Sequence, residues 1–189
     1  MKRIILWSMF LWVMTMSAAA DKGSSRIDYI RQAYEGRLAA IANRPYEDIP
    51  TNQTTIEDYR MLPATGLYHN KVTFYYDDDM NEDGYSEQLF YVTEDKVYCS
   101  GMYKFHFEFL YDRETAEPLF AFITTQTGDG ELSTWRFYLD SEGKVIRQLI
   151  SQAPENDLAP LITDTPEAYL SGAFAYYRNL FNQLPKPEV

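Results

Sequence analysis

The stretch Tyr103-Lys-Phe-His-Phe-Glu-Phe-Leu-Tyr111 decides the fold. Tyr103, Phe105, Phe107, Phe109 and Tyr111 alternate with Lys104, His106 and Glu108. A strand turns successive side chains to opposite faces, so this run makes one aromatic face and one polar face. That is the pattern of a half-buried antiparallel strand. Reading forward, a turn at Asp112–Glu117 leads to Leu119–Thr125, and Gly128-Asp-Gly130 turns the chain again. Trp135, Phe137 and Leu139 then alternate with Thr134, Arg136 and Tyr138. Asp140-Ser-Glu-Gly143 closes a hairpin onto Lys144–Ile150. Reading backward, Ser100-Gly101 is a bend, and Lys96–Cys99, Glu87–Val92 and Lys71–Tyr76 read as strands. Cys99 is expected as a small buried hydrophobe on its strand. Connections this short pair successive strands antiparallel. The expectation is a β-meander of six or seven strands over residues 71–150.

Helical periodicity flanks the meander. Ile27, Ile30, Tyr34, Leu38 and Ile41 form one apolar stripe, with Arg31, Glu35 and Arg37 on the outer face. Ser25 followed by Asp28 reads as its cap, and Pro45 stops it, giving a helix over about residues 25–43. Thr165 caps a second helix with Pro166 at its first position. Leu170, Ala173, Phe174, Tyr177, Phe181 and Leu184 form the buried face of that helix, over about 166–184. Residues 44–70, punctuated by Pro45, Pro50, Pro63 and Gly66, read as an irregular arm with one short element near Thr54–Met61. Residues 151–165 read as a connection. Both helices need an apolar partner, and the aromatic side of the sheet supplies one. The expected fold is a single two-layer α+β domain.

The N-terminus reads as a targeting signal. Lys2 and Arg3 precede an apolar run from Ile4 to Met16, and Ser17-Ala-Ala-Ala20 supplies small residues for a peptidase. This is the order of a secretory signal peptide over residues 1–20, and the run is too short to span a bilayer. Removing Lys2 and Arg3 from the 17 basic residues leaves 15 against 28 acidic ones, a net charge of −13. Such a chain is not built to neutralise phosphates, so nucleic acid is excluded as a default partner. The single cysteine, Cys99, excludes an internal disulfide framework and a Cys-rich zinc site. No cysteine lies at the expected cut, so no lipid anchor is expected. The mature chain, residues 21–189, is expected without a membrane span, in a periplasm or outside the cell.

The helix opening Ile27 to Tyr34, the Tyr- and Phe-rich hairpins and the run Arg136-Phe-Tyr-Leu-Asp-Ser-Glu-Gly143 resemble small exported proteins of gut-type bacteria. The resemblance covers most of residues 26–150. It implies export and carries no activity, so no residue role is taken from it.

Three places hold candidate chemistry. Within the acidic run Asp77–Glu87, residues Asp79, Asn81, Asp83 and Gly84 match the opening of an EF-hand-type calcium loop. Such a loop needs a bidentate Glu at its twelfth position, where this chain has Phe90. The ordinary account of the run is a solvated hairpin, since Asp-Gly favours a tight turn. No cofactor is expected unless this run holds calcium, with Asp79, Asn81 and Asp83 as ligands. The second place is the polar sheet face, where Lys104, His106 and Glu108 on one strand and Thr134, Arg136 and Tyr138 on another offer a cation, an imidazole and a carboxylate, with Lys104, His106, Arg136 and Tyr138 as the expected ligand contacts. Its ordinary account is the wet side of an antiparallel sheet. The third is the excess of tyrosine. Sixteen tyrosines are more than a core readily satisfies, because each buried hydroxyl needs a partner, so some are expected at a binding surface, including Tyr75, Tyr76, Tyr85 and Tyr91.

Catalytic constellations are sparse. There are two histidines, no nucleophile elbow and no phosphate loop. Cys99 and His106 on one straight strand would stand about 23 Å apart, too far for a nucleophile–base pair. The sequence supports a non-enzymatic, exported binding protein whose partner is a protein, peptide or glycan. One alternative is a small secreted hydrolase with His106 as base beside Glu108 and Arg136 as anion stabiliser; another is a calcium-stabilised structural module. Mass spectrometry of the exported protein checks the targeting signal: a mature mass beginning at Asp21 is expected, and retention of residues 1–20 overturns it.

Overall fold

The computed structural model describes residues 23–42, 52–81, 84–151 and 165–185, with the backbone alone described at 79–81 and 84–86. The expected leader, Asp83, and most of the 151–165 connection lie outside the described residues. Residues 23–42 form helix α1. Seven strands follow: β1 (Asn52–Leu62), β2 (Gly66–Asn81), β3 (Gly84–Tyr98), β4 (Tyr103–Tyr111), β5 (Pro118–Gln126), β6 (Leu132–Leu139) and β7 (Val145–Ser151). Helix α2 spans Pro166–Asn182. The strands form one sheet in sequence order, antiparallel throughout. No described helix is long and apolar enough to cross a membrane.

The meander holds, but its membership differs from the expectation. Residues 52–70 are no irregular arm: β1 and the start of β2 form a hairpin, with Leu62 opposite Gly66. Gly66 is required there, because its φ is +80° and a Cβ would collide with the Ser100 hydroxyl. The two short strands expected at 87–92 and 96–99 are one continuous strand, β3. Cys99 is not on a strand. It opens a short 3₁₀ turn with φ near +50° and is only partly buried.

The helices divide the two faces of the sheet rather than sharing the aromatic one. Phe174, Tyr177 and Phe181 of α2 pack on Phe74, Phe107, Phe109, Ile123, Trp135 and Phe137. Ile30 of α1 packs on Phe90, Tyr91, Leu110, Leu119, Phe120 and Tyr138. The sheet is thus a middle layer, with one helix on each side.

Sequence runs that do not alternate explain how one sheet serves both helices. Between β2 and β3 the register slips so that Phe90 stands unpaired between Leu89, opposite Tyr76, and Tyr91, opposite Tyr75. Leu119 does the same between β4 and β5, and Ile146 between β6 and β7. Each is a β-bulge, which adds one residue and bends the strand. The three bulges lie immediately beyond one row of opposed residues: Tyr75, Tyr91, Leu110, Phe120 and Tyr138. A slip of one residue exchanges faces. Consecutive Phe90 and Tyr91, and consecutive Leu119 and Phe120, therefore all reach the α1 side. Leu89 and Val92 meanwhile share the α2 side.

Helix α1 departs from the expected stripe at one position. Leu38 is exposed, and Arg37 lies over the Phe90 ring at 4.6 Å. Positions 27, 30, 34, 37 and 41 follow the 3.6-residue period more closely than a stripe through 38, and the arginine stem supplies apolar surface. Ser25 is not its cap, because residue 23 is already helical. The start of α2 is as expected: the Thr165 side chain accepts from the Ala168 amide at 3.3 Å, with Pro166 following.

Phe109 is fully buried and meets both Phe174 and Tyr177, with ring centroids 5.1 and 4.8 Å away. Phe109→Ala is expected to cost about 3–5 kcal/mol in urea denaturation, the range for a large aromatic lost from a packed core. A cost below about 1 kcal/mol would mean that α2 does not form the core lid described.

Candidate functional site

The polar residues singled out on the sheet do not form one site. Lys104 and Arg136 are exposed, and Arg136 extends over the Phe122 ring at 5.1 Å. Tyr138 lies beneath α1, 6% exposed, against Phe120. It is a core residue and not part of an open ligand surface as expected. The backbone at Asp79 and Asn81 is strand, paired with Ser86 and Gly84. Residues 84–90 continue as strand instead of wrapping a coordinating loop. Among the described residues no group of three or more His, Cys, Asp or Glu converges as a metal site.

His106 and Glu108 are brought together in an extended polar chain. His106 Nδ1 lies 2.7 Å from Asp95 Oδ1, and Nε2 lies 3.0 Å from Glu108 Oε1. Carboxylates only accept, so both ring nitrogens donate and the ring is an imidazolium. The hydrogen bond to Asp95 and then that to Glu108 raise its pKa to about 9. Asp95 is held below the ordinary carboxylate range by the His106 bond. Glu108 is 8% exposed. Burial alone would push its pKa up. Hydrogen bonds from His106 and from the Tyr34 and Tyr91 hydroxyls, each hydroxyl at 2.6 Å, bring it below the usual value. Burial and the Glu108 charge push both tyrosines upward in turn. The cluster ties α1 to the sheet and leaves His106 without a lone pair. A general base needs that lone pair.

The second polar cluster lies on the opposite face and was not singled out from the sequence. Glu94 of β3 is 2% exposed. It accepts from Asn70 Nδ2 at 3.1 Å, from the Tyr177 hydroxyl of α2, and from Lys96 Nζ at 2.8 Å. Lys96 also lies 5.3 Å over the Phe107 ring. Next to this ion pair a cleft of about 520 Å³ opens between the sheet and α2. Its sheet wall carries Tyr68 and Tyr98, whose rings meet edge to face at 5.1 Å. Its helix wall carries Tyr169 and Tyr176 around Ala168, Gly172 and Ala173. Burial pushes Tyr169 up to about 12.

The sequence hid this cleft because the polar residues Thr93-Glu-Asp95 break the apolar pattern between two short expected strands, whereas they are the middle of one long strand. One signal was present. Tyr177 sits on the apolar stripe of α2, and a buried hydroxyl there demands a polar partner from the sheet. Compared with protein-family models, curated proteins and solved structures, the chain matches none. The assignment of the site therefore rests on its own residues.

His106 makes stability depend on pH in a defined window. A histidine with its pKa raised from about 6.5 to about 9 stabilises the fold fully below pH 6.5, and loses that contribution as pH rises to 9. Tyr34 and Tyr91 titrate above that window, and Asp95 and Glu108 below it. The wild type is expected to lose stability between pH 7 and about 9.5 in urea titrations, and His106→Gln to show a flatter profile. Equal slopes in the two proteins would show that the imidazolium is not held as described.

Proposed function

We propose that this is an exported, non-enzymatic binding protein whose ligand occupies the cleft between α2 and the β2–β3 hairpin. The observation that carries this reading is the combination in one concave site of tyrosine rings and the Glu94–Lys96 ion pair, whose carboxylate is buried and whose ammonium is partly exposed. Ligand sites are concave and largely aromatic or apolar, with a few oriented polar groups. Tyrosine suits such walls because its ring gives contact area and its hydroxyl a directed bond. The absence of a free base at His106 favours binding over hydrolysis. Export is inferred from the N-terminal signal pattern, and the overall acidity disfavours anionic lipid and nucleic-acid partners.

The test is a thermal-shift panel covering saccharides, amino acids, short peptides, nucleosides and fatty acids. A ligand that binds only the native state must raise Tm. At least one class is expected to stabilise the wild type and to leave Gly172→Phe unmoved, because the new ring would fill the cleft. Stabilisation that persists in Gly172→Phe, or none from any class, overturns the cleft as the site.

A further inference from the structure

We infer that the cleft takes a neutral saccharide; this rests on the preceding reading and names the ligand class of the same site. Three observations converge. The first is charge. Glu94 is neutralised in place by Lys96, so the floor carries no net charge to select an ion. The Lys96 ammonium has three donors and Glu94 takes one, which leaves donors for a neutral oxygen. The second is shape. Tyr176 is 58% exposed at the rim, and Tyr68 and Tyr98 line the opposite wall. Flat aromatic walls that end in hydroxyls match a ring with one C–H face and a rim of hydroxyl groups. A wholly apolar ligand would desolvate the Lys96 donors that Glu94 does not take, at a cost.

The third observation is the helix wall. Gly172 sits inside α2, where glycine costs up to about 1 kcal/mol relative to alanine. A Cβ there would meet no atom within 4 Å, so packing does not require the glycine. Its effect is to leave the middle of the helix wall bare, between Tyr169 and Tyr176. A sugar ring, thicker than an aromatic plane, can enter against that bare backbone.

The test uses the mature protein and titrates neutral oligosaccharides, with uronic-acid oligosaccharides, neutral dipeptides and nucleosides as comparators, followed by calorimetry. Two variants accompany it, Gly172→Phe and Tyr176→Ala. Neither position carries core packing, so both variants are expected to fold, which circular dichroism checks. Expected is saturable binding of a neutral oligosaccharide, weakened roughly tenfold by Tyr176→Ala, the size of one lost aromatic contact, and abolished by Gly172→Phe. Binding of dipeptides, nucleosides or uronic acids in preference, still lost in Gly172→Phe, overturns the saccharide and leaves the cleft standing. Oligosaccharide binding that survives both variants, or no binding by any class, overturns both.

Discussion

Two buried carboxylates hold this molecule together, one for each face of its sheet. Glu108 receives the Tyr34 hydroxyl from α1, and Glu94 receives the Tyr177 hydroxyl from α2. Each is also paired with a cation from its own strand two residues away, His106 and Lys96 respectively. An unpaired buried carboxylate is costly, several kcal/mol after relaxation, so both must be satisfied or neutralised. The solution is the same on both faces: a strand supplies acid and cation, and a helix supplies the phenol. This fixes the position of each helix along the sheet in a way that aromatic packing alone does not. Aromatic surfaces tolerate sliding, whereas a hydroxyl 2.6 Å from a buried oxygen does not.

The second constraint is the row of bulges at Phe90, Leu119 and Ile146. A regular antiparallel sheet with strict alternation could bury one face well and leave the other wet. The bulges give alternate strands a local change of phase, and large apolar side chains appear on the α1 side at one end only. The rest of that face stays polar, and there Asp95, His106 and Lys104 stand on paired strands. The geometry thus separates two roles on a single surface: a helix-covered apolar end and an open hydrophilic end.

The same logic explains why the tyrosine-lined cleft lies under α2 and not on the open face. On the open face His106 is held by carboxylates on both nitrogens. Under α2 the helix turns small residues, Ala168, Gly172 and Ala173, toward the far end of the sheet. Its bulky Leu170, Phe174 and Phe181 fill the centre. Space remains where the small residues face Tyr68 and Tyr98.

Periodicity in the sequence determined that this chain builds an antiparallel meander with a helix at each end. Alternation along Tyr103–Tyr111 and Thr134–Leu139, and the capped stripe of α2, are local properties that follow from strand and helix geometry. Tertiary structure alone decided which face each helix takes and where the phase of a strand changes. A bulge looks in sequence like a short apolar run with no period, as at Leu89–Val92 and Leu119–Ala121. It alone decided also that Thr93–Asp95 is the centre of one continuous strand and not a break between two. A charged run is stable there because Asn70, Lys96 and Tyr177, the last 83 residues from Glu94 in sequence, together satisfy the carboxylate. His106 shows the same division. Its place on a polar face was legible from alternation, but its state as an imidazolium depends on Asp95, which only the pairing of β3 with β4 brings within reach.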